Sequence, residues 1–289
     1  MTERSQIGVA IVGAGEMGAA VGRRLREGGA RVMTSLAARS ASSVERVRRA
    51  GIEVIDDLGR MVGEAELVMS IVPPSAAIEV AQCYYDPIRK SKRSPYFVDC
   101  NAVAPATARR IHQMLGGLRF IDAGIIGGPP VPGTQDPGNG PRFYASGDHA
   151  NELMQLAQYG LDIAVLDGPV GAASALKLAY AGMTKGFAAI ATAMVHAAAR
   201  EGLDDALRAE LIRTQPNFLA RLERAIPDMF PKAYRWVAEM EQIGEFIGAE
   251  REGANMYKGM ARLYDWIASE LERPSSADLD ELMAFCKKK

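Results

Sequence analysis

Two stretches of this chain carry residue types at spacings that could do chemistry. Gly13-Ala14-Gly15-Glu16-Met17-Gly18 is a glycine-rich turn, and Lys177 and Tyr180 stand in a run, 170–199, where only Lys177 and Lys185 bear full charge. Glycine suits each place in the turn: Gly13 for a tight bend, Gly15 for close approach of backbone to a diphosphate, Gly18 for packing of helix on sheet. A helix opening there offers N–H groups and a positive dipole end to an anion. A lysine surrounded by apolar groups has its charged form disfavoured, which fits it to give or take a proton near neutral pH. Taken alone, Lys177 also reads as a solvated lysine at a helix start.

The elements needed to hold these residues follow from the pattern around them. The apolar run 7–12 ends at the glycines and a helical run, 15–27, begins there, which is the setting that turns G-x-G-x-x-G into a dinucleotide-binding signal. Further strands are expected at 31–35, 67–71, 96–99, 120–123 and 142–146, with helices at 42–50, 76–81 and 105–115 between them. That alternation predicts an α/β fold, an N-terminal Rossmann doubly wound sheet. Beyond residue 171 the strand signal vanishes, and helices are expected at 171–199, 205–214, 216–225, 234–247, 255–271 and 278–287. The expected domains are 1–168, binding the dinucleotide, and 169–289, an all-α substrate and dimerisation domain. The Pro/Gly-rich segment 127–141 fits neither; it reads as a binding loop or a plain surface connection.

The stretch after the second strand bears on which dinucleotide is held, because an acid there binds the ribose 2′-hydroxyl and repels a 2′-phosphate. Here it is Thr34-Ser35-Leu36-Ala37-Ala38-Arg39-Ser40, without an acid. Arg39 can pair with a phosphate and Ser35 and Ser40 can donate to it, so NADP(H) is favoured over NAD(H); on the other reading Arg39 is a solvated helix-start residue. Val72 and Pro73, at the end of the 67–71 strand, are expected beside the cofactor ribose or nicotinamide. Asn101 is expected to contact the nicotinamide ribose or the substrate, or else to serve as a strand-end turn residue.

The 34 basic and 35 acidic side chains leave a net charge of −1, which gives no basic footprint for nucleic acid or an anionic membrane. Cys83, Cys100 and Cys286 form no C-x-x-C pair, and the three histidines are scattered, so neither a disulfide framework nor a metal site is expected. The start of the chain lacks the pattern of a signal peptide and the longest apolar run, 186–195, is about half a membrane span. A cytoplasmic globular protein is expected.

Three motifs, Asp99 to Pro105, Asp122 to Gly128 and Gly171 to Lys177, make the chain resemble the β-hydroxyacid dehydrogenase superfamily of 3-hydroxyisobutyrate and 6-phosphogluconate dehydrogenases. Asp99-Cys100-Asn101-Ala102-Val103-Ala104-Pro105 resembles that family's Asp-x-Ser/Asn-x-x-x-Pro segment. Asp122-Ala123-Gly124-Ile125-Ile126-Gly127-Gly128 is similar to its substrate motif Asp-Ala-Pro-Val-Ser-Gly-Gly, and Gly171-Ala172-Ala173-Ser174-Ala175-Leu176-Lys177 to its Gly-x-Gly-x-x-x-Lys. The resemblance implies that Lys177 is the catalytic lysine, and that Ile126, Gly127 and Gly128, with Asn101 and Lys177, line the substrate. The run 233–240 looks most like a branch with a phosphogluconate-dehydrogenase-like C-terminal domain.

Three departures bear on the substrate. Ile126 stands where the family has a carboxylate-binding serine, Tyr180-Ala181 where it has an asparagine pair, and Ala173 where it has the second glycine. Tyr180 could supply the missing polar group or be an ordinary core aromatic. The reading is an NADP(H)-dependent oxidoreductase interconverting an alcohol and a carbonyl, acting on a bulkier or less charged substrate than the family's small hydroxy acids. Its rivals are an imine reductase, which generally lacks this lysine, and a dinucleotide-binding sensor without turnover. Small residues along 172–199 suit close helix approach, either across a homodimer or within a single-chain core.

Overall fold

A computed structural model describes residues 6–37, 39–134 and 136–287, and the chain divides into two compact units, Met1–Lys177 and Leu178–Lys289. The first unit is built on one eight-stranded sheet. Its strands are β1 (Gly8–Val12), β2 (Arg31–Thr34), β3 (Glu53–Val54), β4 (Leu67–Ser70), β5 (Tyr96–Asp99), β6 (Phe120–Ile126), β7 (Arg142–Ser146) and β8 (Asp162–Val165), in the order β3-β2-β1-β4-β5-β6-β7-β8. Every neighbouring pair is parallel except β6 with β7. β1 and β4 are buried along their whole length, as strands covered on both faces must be. Alternate residues serve opposite cores: Val9 and Ile11 join the cluster under one layer of helices, and Ala10 and Val12 join the other.

The connecting helices are α1 (Glu16–Glu27), α2 (Ala41–Ala50), α3 (Leu58–Gly63), α4 (Ala77–Lys90) and α5 (Pro105–Met114). The doubly wound sheet is the fold the alternation predicts, and its boundaries differ in instructive places. β3 and β8, which the sequence reading omits, are short edge strands, β3 exposed at both residues and β8 only partly covered, so they lack a core pattern. α3, which the alternation does not predict, is capped by Asp57, which accepts from Arg60 N at 2.9 Å. α4 runs past 81 because Ala77, Ala81, Tyr84 and Ile88 form one buried stripe that outweighs Pro87. β6 runs three residues beyond 123 because its antiparallel partner extends to the pair Ile126 and Arg142.

The long helix α6 (Ala172–Arg200) begins in the first unit and continues into the second. There it is followed by α7 (Asp204–Thr214), α8 (Pro216–Met229), α9 (Ala233–Ile247), α10 (Glu252–Leu271) and α11 (Ala277–Lys287). Leu222, Ile226, Met240, Tyr264, Leu282 and Phe285 form part of this unit's interior. Lys185 is paired there with Glu239 and lies 4.9 Å from the Trp236 ring centre; burial lowers its pKa against the pull of that carboxylate. α6 is long and apolar enough by composition to cross a bilayer, but half of that window is buried inside the protein, as in a core helix.

Candidate functional site

The glycine turn is shaped by its neighbours at two points and by something else at the third. Gly13 has φ +123°, and a Cβ there would stand 2.1 Å from Ile71 O; at Gly18 it would stand 2.1 Å from Gly13 O. Both glycines are therefore demanded by the packing of β1, α1 and the end of β4. A Cβ on Gly15 would meet nothing within 4 Å, and Gly15 is exposed. Among the described residues no contact requires its lack of a side chain; it is the N-cap of α1, where glycine is favoured, and it leaves the space beside the helix start open to a bound group. Among the described residues no side chain caps α1, so its first N–H groups are left without that partner, with Glu16 exposed and Met17 half-buried beside them. These residues, with buried Ala14, fit a diphosphate.

The loop after β2 holds Ser35, Arg39 and Ser40 at the surface, Arg39 and Ser40 exposed and Ser35 half-buried. Ser40 caps α2 by accepting from Ser43 N at 3.3 Å. Ala38 lies outside the described residues. The segment has no acid of its own, but the chain supplies one through space. Asp56, following β3, accepts from Leu36 N at 2.9 Å and Ser35 Oγ at 3.2 Å. The signal for it was the parallel register of β2 with β3, which sets Thr34 beside Val54.

At the ends of β4 and β5 a buried network fixes the wall expected beside the nicotinamide. Asn101 Oδ1 accepts from Val72 N at 2.7 Å, while its Nδ2 donates to Ser70 Oγ at 3.0 Å and to Asp99 Oδ1 at 2.5 Å. The amide of Asn101 thus ties β4 to β5, and Val72 is half-buried with Pro73 exposed beyond it. Asp99 Oδ2 has no partner among the described residues. Burial pushes the Asp99 carboxyl up to about 7, opposed by the Asn101 N–H and reinforced by the nearby Asp122. Burial also pushes the Cys100 thiol well above its ordinary value.

Asp122 does the work that sequence reasoning missed. Its Oδ2 accepts from Ser146 Oγ at 2.8 Å and from the N–H groups of Gly171 at 2.8 Å, Ala173 at 3.1 Å and Ser174 at 3.2 Å; Oδ1 accepts from Ser174 Oγ at 2.6 Å. This one carboxylate anchors the first turn of α6 to β6. Gly124 completes the fit, since a Cβ there would stand 2.8 Å from Ala173 O and 3.0 Å from Lys177 Cβ. The helix held this way carries Lys177 to the end of β6, where Nζ donates to Ile125 O at 2.5 Å. Ile126 follows half-buried, and Gly127, at φ +125°, and Gly128 are exposed.

Lys177, Asn101, the glycine turn and Ile126 to Gly128 therefore belong to one unit and to the carboxyl ends of its strands. Tyr180, one turn on in α6, is 51% exposed and is no core aromatic within this chain, whereas Ser174 and Ala181 are buried. Among the described residues, His196, Asp278 and Glu281 are close enough to share an ion, but they lie in the second unit, where both acids belong to α11 and Asp278 stands in its first turn.

Residues 8–150 match the NAD binding domain of 6-phosphogluconate dehydrogenase, and 198–267 match a domain of unknown function, DUF1932. An uncharacterized 28.5 kDa protein of Methanothermus fervidus is 27% identical over 240 residues, 83% of this chain and 90% of that protein. A conserved protein of unknown function, described as structurally similar to 3-hydroxyacid dehydrogenases, has a TM-score of 0.69 at 28% identity, covering 91% of this chain and 97% of its own. The 3-hydroxyisobutyrate dehydrogenase of Mycobacterium tuberculosis, solved with L-serine, has a TM-score of 0.71 at 18% identity, covering 96% and 99%. An imine reductase of Myxococcus stipitatus and a reductive aminase of Aspergillus terreus are among the more distant structures of the same fold. The chain thus carries an NAD binding domain of the 6-phosphogluconate dehydrogenase kind followed by a DUF1932 domain, with structural neighbours of the 3-hydroxyisobutyrate dehydrogenase kind, consistent with the β-hydroxyacid dehydrogenase superfamily.

Proposed function

We propose that this protein is an NADP(H)-dependent oxidoreductase that interconverts an alcohol and a carbonyl, with Lys177 as proton donor and acceptor. The observation that carries this reading is the Asp122 anchor, which holds Lys177 at the end of β6 in the unit that contains the glycine turn. A nicotinamide, when bound, supplies or accepts the hydride. The alkoxide oxygen of a reduced carbonyl needs a proton, and Lys177 Nζ is the group that hands it over, or takes it back in the other direction. The N–H groups of Gly127 and Gly128 orient a substrate oxygen, and Asn101 holds Val72 and Pro73 as the opposite wall. Ile126 offers an apolar contact where a hydroxyl would bind a carboxylate, so the substrate is less charged or bulkier than a small hydroxy acid. Arg39, Ser35 and Ser40 favour NADP(H), with the exposed Asp56 carboxylate tempering that preference.

The active form is a homodimer joined through the helical unit. Leu176, Tyr180, Met183, Phe187, Ile190 and Met194 recur along α6 at alternating steps of four and three, and all but the half-buried Phe187 are exposed. Three free cysteines suit a reducing compartment, and we take the cytoplasm as its setting. The test is NADPH consumption with a panel of oxo acids, simple ketones and cyclic imines, and NADP reduction with the matching hydroxy acids and alcohols. Turnover of a ketone or alcohol supports the reading, and turnover of imines alone contradicts it. NADPH binding without turnover points to a sensor.

A further inference from the structure

The segment 127–141 carries Pro129, Pro130, Pro132, Pro137 and Pro141, none of which has an N–H to donate. Its main chain is rich in acceptors and poor in donors, and a buried carbonyl without a partner is costly. The missing donors come from α1. Arg24, 1% exposed, donates through Nη1 to the carbonyls of Asp136 and Gly160, each at 3.1 Å, and through Nη2 to those of Val131 and Asn139, each at 3.2 Å. Arg23 Nη2 adds a bond to Pro130 O at 3.1 Å. The Arg24 fork thus grips both arms of the strap, which are also joined by Val131 N donating to Asn139 O at 2.9 Å. Gly28 makes the reach possible, because a Cβ at the end of α1 would stand 2.5 Å from Tyr159 O.

The other end of the strap is the stretch that resembles the substrate motif. Gly127 and Gly128 open it, and a Cβ on Gly127 would stand 2.9 Å from Pro141 Cα where the strap returns to β7. Burying a guanidinium carries a large desolvation cost, and a hydrophobic residue would fill the same space without it. Only a planar fork with several fixed donors meets carbonyls from both arms and from the turn at Gly160.

We propose that Arg24 is a positioning residue for the substrate side of the site: from the dinucleotide helix it pins the strap and thereby sets the orientation of Gly127 and Gly128. This rests on the oxidoreductase reading and on those glycines meeting the substrate. The cofactor end of α1 is formed two turns earlier and does not depend on the pin.

The test compares full-length wild type with Arg24→Met and the milder Arg24→Lys, which keeps the charge and some donors. For the compound that wild type turns over, KM should rise about tenfold or more in Arg24→Met and less in Arg24→Lys, because small displacements of orienting groups are costly. The NADPH dissociation constant should stay within about twofold, and amide exchange in 128–140 should speed up by about tenfold while that of β1 is unchanged. Should Arg24→Met not fold, Arg24→Lys carries the same comparison. An unchanged KM, or substrate and NADPH weakened equally, would overturn the proposal while leaving the oxidoreductase reading intact. Wild type without turnover on any compound would overturn both.

Discussion

Asp99 and Asp122 stand opposite each other in the register of β5 and β6, but their surroundings differ. Asp122 accepts five hydrogen bonds, three of them from the start of a helix, whereas Asp99 accepts two from Asn101 and keeps an oxygen without a partner among the described residues. Burial pushes the Asp99 carboxyl from an ordinary 3.8 up to about 7. A folded-state pKa above the unfolded one means that the stabilising contribution is complete below about pH 4 and is lost as pH rises through about 7. Asp99→Asn keeps an acceptor for Asn101 and removes the ionisation. The urea midpoint of wild type should therefore fall relative to that of Asp99→Asn between about pH 4 and pH 7 and run parallel to it above; parallel curves throughout would contradict the assignment. At the other end of the cofactor, Arg39→Ala should weaken NADPH by about tenfold or more and NADH far less, the worth of a charge-assisted phosphate contact. Equal weakening in fluorescence titrations would remove Arg39 from the 2′-phosphate site.

The element on which the chemistry turns is the first turn of α6, and what holds it was only half legible in the sequence. Gly13 to Gly18 could be read outright, because the turn sits between a buried strand and a helix and its geometry is local. Lys177 stands out as one of two full charges in an apolar run, but its catalytic reading rests mainly on its resemblance to a family motif. The role of Asp122 was hidden, since its partners Ser146, Gly171, Ala173 and Ser174 are up to 52 residues away. Arg24 was invisible for the same reason: its acceptors are carbonyls, which every residue has. β3 escaped notice as a two-residue edge strand, and with it the approach of Asp56 to Ser35. Asp122→Ala would strip the cap and leave several buried donors unpaired, an effect of about 3 kcal/mol. A lower melting temperature should come with loss of turnover, and a variant as stable and as active as wild type would refute the anchor.

For the molecule as a whole, the apolar stripe on α6 predicts a particle of twice 31.1 kDa in light scattering. Met183, 77% exposed, is the most open of these side chains. Charging it together with Ile190, as Met183→Glu and Ile190→Glu, should shift the protein to monomer at micromolar concentration, because a buried unpaired carboxylate is not tolerated in an apolar seam. A monomeric wild type, or a double variant that remains dimeric, would contradict that interface. The central claim is that one unit joins a dinucleotide site to a proton-transferring lysine. Its most direct test is the steady-state rate of NADPH oxidation by Lys177→Ala beside wild type, with NADPH affinity measured on the same preparations. The account predicts a kcat lower by about a hundredfold or more with NADPH affinity unchanged; an undiminished kcat would contradict it.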